Sequence, residues 1–254
     1  DGTTLVVGAP YAPGGTGAGV VYVYGEGPSG LRTTPKAVLA DPESSTAGDD
    51  FGTSVSVSGP TVMVGDIDAE SPHQAYIYAK GPSGWPRSPT TILPDPSNAS
   101  HSAFGEEVAV SGSTALVGSA AENAAYLPGH VYVYTVGSSG WPQNPDAKLT
   151  NPGPHQGNNG FYGSAIAISG DVAVVGAWAT QSSTGAARTG AAYLYDGPIA
   201  TWSEEVNTIA DPGEQKGASM GYAASVSGTE VLVSAPQQSI GSPPLAGIGY
   251  LVDG

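Results

Sequence analysis

Phe51-Gly52-Thr53-Ser54-Val55-Ser56-Val57-Ser58-Gly59 decides the architecture, because the stretch returns three times. It recurs as Phe104-Gly105 running through Val108-Ala109-Val110 to Ser111-Gly112, and as Phe161-Tyr162-Gly163 running into Ala165-Ile166-Ala167-Ile168-Ser169-Gly170. A last copy is Met220-Gly221 running into Ala224-Ser225-Val226-Ser227-Gly228. The starts lie 53, 57 and 59 residues apart. A period of that length marks a repeat protein whose unit is one supersecondary block. Alternation of small or polar residues with β-branched ones predicts that each copy is a strand.

Working outward, each copy is followed after a Ser-Gly turn by a second apolar run: Val62-Met63-Val64-Gly65, Ala115-Leu116-Val117-Gly118, Ala173-Val174-Val175-Gly176 and Val231-Leu232-Val233-Ser234. Leu5-Val6-Val7-Gly8-Ala9-Pro10 is a fifth copy of this run. A third run places tyrosines at period two, as in Val21-Tyr22-Val23-Tyr24, Tyr76-Ile77-Tyr78, Val131-Tyr132-Val133-Tyr134, Tyr193-Leu194-Tyr195 and Tyr250-Leu251-Val252. A weaker fourth run (Lys36 to Leu39, Thr91 to Leu93, Ala147 to Leu149, Val206 to Ile209) follows a recurring turn such as Gly81-Pro82-Ser83-Gly84-Trp85. Short strands joined by Gly, Ser and Pro turns predict up-and-down antiparallel sheets. The fold class is therefore all-β, a β-propeller of about five four-stranded antiparallel blades in one domain over residues 1–254. The units run approximately over 1–50, 51–103, 104–160, 161–219 and 220–254.

Composition agrees. The 254 residues include 38 Gly and 22 Pro, the two worst helix formers, which excludes a mostly helical chain. Seven Lys+Arg against 22 Asp+Glu give a net charge of −15, a balance that repels phosphate backbones and anionic lipid. Nucleic-acid partners and membrane insertion are not expected. The absence of Cys excludes disulfides and thiolate metal sites.

These residues resemble the FG-GAP repeat family, whose signatures stand here as Phe51-Gly52, Phe104-Gly105 and Gly8-Ala9-Pro10. The resemblance implies a propeller of the kind found in integrin α-subunit heads, some fungal lectins and secreted bacterial proteins. It implies adhesion, carbohydrate or protein binding outside the cell or at its surface, and no enzymatic activity. It does not carry calcium with it: where some relatives have alternating Asp and Asn between the first two strands, this chain has Ser58-Gly59-Pro60, Ser111-Gly112-Ser113, Ser169-Gly170-Asp171 and Ser227-Gly228-Thr229. No cofactor is expected.

The end units are short. Eighteen strands are expected where five complete blades would have twenty, the first unit lacking its first strand and the last its fourth. Unpaired strand edges invite a strand from a neighbouring chain. A self-assembling structural subunit of an extracellular filament or surface layer is accordingly the alternative to a ligand-binding module.

Few residues suggest chemistry. Asp66, Asp68 and Glu70 alternate in one loop as a hard cation would require, but the turn Gly and bidentate Glu of a calcium loop are replaced by Ser71 and Ile77, which favours a solvated loop. His73, His101, His130 and His155 lack metal or dyad spacing. The repeated aromatics Trp85, Trp141 and Trp202 suit packing between blades. Non-repeated aromatics are better ligand contacts. Tyr11, Tyr126 and Trp178 share the variable loop between second and third strands, and Tyr162 and Tyr222 stand near the repeat starts. Asn98-Ala99-Ser100 is a glycosylation sequon, used only in a secretory pathway.

Overall fold

A computed structural model describes all residues except 1, 12–18, 29, 43–49, 68–72, 98–101, 123–128, 154–159, 183–184, 203–205, 240–246 and 254. Five antiparallel sheets follow one another along the chain, with the blade topology of a β-propeller. The first contains β1 (Thr4–Ala9), β2 (Val20–Gly27), the two-residue β3 (Gly30–Leu31) and β4 (Ala37–Ala40). The second is β5 (Val55–Ser58), β6 (Thr61–Asp66), β7 (Gln74–Ala79) and β8 (Thr91–Pro94), and the third β9 (Ser102–Ser111), β10 (Thr114–Glu122), β11 (His130–Thr135) and β12 (Ala147–Thr150). The fourth is β13 (Ala165–Ser169), β14 (Val172–Ala177), β15 (Ala191–Tyr195) and β16 (Asn207–Ala210). The fifth has three strands, β17 (Ala224–Ser227), β18 (Glu230–Ala235) and β19 (Ile248–Asp253). Among the described residues the one strand beyond those expected is β3, whose Gly30 and Leu31 pair back on Gly27 and Glu26. The equivalent positions further on form the bridges Gly81↔Gly84 and Gly137↔Gly140. Among the described residues no helix is long and apolar enough to cross a membrane.

The chain divides into two compact units, residues 1–117 with 134–146, and 118–133 with 147–254. In the first, Val21, Val23 and Leu39 form one buried cluster with Phe51, Val62, Val64, Tyr76 and Tyr78. In the second, Val172, Val174, Ala192 and Leu194 cluster with Met220, Val231, Val233 and Ala235.

The Phe-Gly and Gly-Ala signatures are devices for this packing. Gly52, Gly105, Gly163 and Gly221 all take positive φ, between 82° and 95°, where a side chain is disfavoured. The carbonyls of Gly52, Gly105 and Gly221 press against a glycine near the end of the second strand of the preceding repeat: a Cβ on Gly8, Gly65 or Gly176 would collide with them. Within a repeat, the Gly52 amide donates to the Gly65 carbonyl at 3.0 Å, and the Gly163 amide to Gly176 at the same distance.

Serines supply a second tie. Ser54, Ser56 and Ser58 alternate along the second sheet's inner strand, and their hydroxyls accept the amides of Val108, Val110 and Gly112 at 3.0, 3.1 and 3.0 Å. Ser169 accepts the Gly228 amide at 3.0 Å in the same way. Each bond satisfies an edge amide that would otherwise lack a sheet partner, which explains the Ser-x-Ser pattern of the repeat.

One reading of the repeat needs correction. The Phe161-Tyr162-Gly163 copy aligns through Tyr162, not Phe161. Tyr162 is fully buried with its ring 5.7 Å from Tyr193, as Phe51 is fully buried 5.5 Å from Tyr76. The Ser164 amide donates to the Phe161 carbonyl as the Thr53 amide donates to Asp50, so Phe161 holds the place of Asp50. The core position accepts any large ring, and the sequence offers two in a row.

Candidate functional site

Phe161, freed from the core by that shift, lies at the surface of the second compact unit. Its ring stacks on Trp178 with centroids 4.7 Å apart and planes 17° from parallel. Trp178 follows Gly176-Ala177 where other repeats carry Pro10 or Pro236, so its indole replaces a turn proline. Tyr222, 56% exposed, tilts against the indole at 6.2 Å, and the Arg188 guanidinium lies 5.8 Å over it. No carboxylate among the described residues pairs with Arg188.

The backbone beneath these side chains is strained. Phe161, Arg188 and Ser219 have φ of 52°, 55° and 57°, conformations that cost a non-Gly residue about 1 to 2 kcal/mol each. Ser219 donates its amide to the Arg188 carbonyl, and Gly217 donates to Ala187, which ties the two segments together. Three separate pieces of chain thus hold one aromatic and cationic surface.

Beneath the same loop a cavity of about 190 Å³ opens, lined by Thr180, Thr189, Tyr193, Thr208 and Asp211. Asp211 is buried, and its carboxylate accepts the amides of Gly213 and Gln215 and the Gln238 side chain at 3.0, 2.7 and 2.6 Å. Burial pushes the Tyr193 phenol up to about 12, partly offset by the Thr180 hydroxyl facing it. The Tyr193 phenol is therefore neutral, and the Asp211 carboxylate is held by hydrogen bonds from the protein itself.

Of the other residues singled out above, Tyr11 is 79% exposed in the turn after β1. Tyr126, Asp68, Glu70, Asn98, His101 and His155 lie outside the described residues. Asp66 ends β6, buried, and accepts the Tyr76 hydroxyl at 3.4 Å. Among the described residues no three His, Asp or Glu side chains are grouped to hold a metal. Tyr162 is interior, hydrogen-bonded to the Tyr195 hydroxyl. Trp202 is buried, its indole donating to the Gly197 carbonyl at 2.9 Å, and Trp85 packs beside the first unit's core.

Sequence reasoning passed over Glu106 and Glu107, adjacent acids that occupy the repeat positions of Thr53 and Ser54. Ser54 donates to the Glu107 carboxylate at 3.1 Å. Burial raises both acids, Glu107 to about 7, the hydroxyl of Ser54 opposing the shift and the charge of Glu106 adding to it. A raised folded value means that the folded chain binds the proton more tightly than the unfolded one, so stability falls as pH climbs from about 4.5 to about 7 and is level above. Glu107→Gln is expected to remove about 2 kcal/mol of that pH dependence, the linkage value reduced for partial solvation. Urea midpoints at pH 4.5 and 8 check it, and an unchanged difference in the variant rejects the assignment.

Residues 146–195, which include β13 to β15, match the FG-GAP repeat family. No curated protein matches the chain. Among solved structures, the phage phi92 endosialidase aligns over 99% of this chain at 11% identity and a TM-score of 0.46. The chain spans 47% of that protein's length.

Proposed function

We propose that the chain is a non-catalytic extracellular interaction module, serving adhesion by binding a glycan or a protein through the loops of its blades. The observation that carries this reading is the Phe161, Trp178, Arg188 and Tyr222 surface. Stacked aromatics beside a cation that pairs with no carboxylate among the described residues are what sugar rings and protein anchors pack against. Extracellular placement is supported by the FG-GAP repeat and by the sequon at Asn98, and the charge of −15 keeps such a module off nucleic acid.

A glycan array followed by titration tests the reading. Tyr222→Ala and Arg188→Ala are each expected to weaken the best ligand at least about tenfold without lowering the melting temperature, as loss of an exposed stacking or cation contact would. Ligand binding that ignores both substitutions, or no binding to any glycan or matrix protein, sinks it.

A further inference from the structure

A carboxylate buried in a protein is ordinarily paired with a cation. Asp211 is 3% exposed, yet its partners are the Gly213 and Gln215 amides and the Gln238 carboxamide, all neutral. All seven Lys and Arg of the chain lie among the described residues, and none forms an ion pair with Asp211. A second polar group nearby is also incomplete. Thr180 is 6% exposed, and its hydroxyl oxygen faces the Tyr193 phenol without closing a hydrogen bond to it or to any other described group.

Both residues line the cavity of about 190 Å³, as no Lys, Arg or His among the described residues does. Its floor is one face of the fourth sheet. Cross-strand partners share a face, and the register sets Ala191 opposite Ala210 and Tyr193 opposite Thr208. In the other four-stranded sheets the places of Ala191 and Ala210 are held by Val20 and Ala40, Gln74 and Pro94, and His130 and Thr150. The space therefore lies where two alanines replace larger pairs. The walls stand without an occupant: the Gly190 amide and the Thr189 hydroxyl both donate to the Thr180 carbonyl, at 3.0 and 3.3 Å. Every lining residue belongs to the second compact unit.

We propose that this cavity receives a basic side chain, a lysine or arginine presented by a partner protein. The cationic head supplies the charge that Asp211 lacks and donates to the Thr180 hydroxyl, and the alkyl stem packs on Ala191, Ala210 and Pro152. The volume suits such a group: it holds about six waters, far more than a bare ion fills, and falls below the roughly 300 Å³ at which sites for drug-sized ligands begin. The charge of −15 draws basic partners toward the chain. The inference deepens the interaction-module reading above and rests on it in taking the occupant from a protein. The cavity and the Trp178 and Arg188 surface share one loop, from 178 to 190.

Calorimetric titration of the intact chain with Nα-acetyl-lysine and Nα-acetyl-arginine methylamides tests the proposal, with the uncharged norleucine analogue as control. At least one basic probe is expected to bind at least about tenfold more tightly than norleucine, and less tightly as salt rises. Thr180→Val is expected to weaken it about three- to tenfold with a melting temperature unchanged or higher, since a buried hydroxyl without a partner is replaced by a methyl group. Ala210→Leu, at an exposed position, is expected to block binding and leave the melt unchanged. Equal binding of norleucine, no binding of either basic probe at millimolar concentration, or binding that ignores both substitutions overturns the cavity assignment. So does a rise in melting temperature with calcium chloride that matches the rise with the probes, because the occupant is then a bare ion. Ligands that depend on Tyr222 and Arg188 while neither basic probe binds leave the aromatic surface standing and remove only the cavity. Basic probes that bind the cavity while whole ligands ignore Tyr222 and Arg188 do the reverse.

Discussion

Gly65→Ala and Gly176→Ala are expected to cost about 3 to 5 kcal/mol each, a loss that unfolds much of the chain at ambient temperature. An added methyl at either position would occupy the space of the Gly105 or Gly221 carbonyl, which is backbone and has no rotamer by which to move aside. Gly65 itself is fixed from both directions. Its amide donates to Ser54 at 2.8 Å and its carbonyl accepts from Gly52 at 3.0 Å, so a shift that relieves the clash breaks ladder bonds. Gly81→Ala is the control: a Cβ there meets nothing within 4 Å, and the change is expected to stay within about 0.5 kcal/mol. Urea denaturation of the three variants checks the ranking. Gly65→Ala as stable as Gly81→Ala would show that the two repeats do not approach as closely as the backbone indicates.

That prediction also explains why the fold was so legible. A residue that must be glycine for want of space, such as Gly8, Gly65 or Gly176, cannot drift, and neither can its partner at positive φ. The recurring Phe-Gly and Gly-Ala pairs are therefore the contact points between successive blades, read off as letters. Tyrosine at period two was legible for the same reason, since Tyr76, Tyr78, Tyr193 and Tyr195 fill a wedge that only large rings close.

The candidate site was legible only in part. Trp178 stands out in sequence because it breaks the repeat, whereas Arg188 and Tyr222 come from different segments and meet it only through the folded chain. Glu107 was invisible because its character depends on burial beside Ser54, 53 positions away.

The adjacent rings of Phe161 and Tyr162 give the sharpest separation of scaffold from surface. Tyr162→Ala is expected to cost about 3 to 5 kcal/mol, because it empties a fully buried site against Tyr193 and strips the Tyr195 hydroxyl of its interior partner. Burial holds the Tyr162 phenol far above its usual range, so that bond is between neutral hydroxyls at any physiological pH. Tyr162→Phe keeps the ring and loses only the hydrogen bond, about 1 to 2 kcal/mol. Phe161→Ala is expected to change stability by less than about 1 kcal/mol, because it removes only a ring stacked at the surface, while Ala keeps the Cβ and with it the same left-handed strain. It should nevertheless weaken the ligand that Tyr222→Ala weakens, since the indole of Trp178 loses its stacking neighbour. Thermal melts and ligand titrations on the three variants distinguish the roles. If Phe161→Ala proved as destabilising as Tyr162→Ala, the repeat would align through Phe161 after all, and the exposed aromatic surface would be an extension of the core.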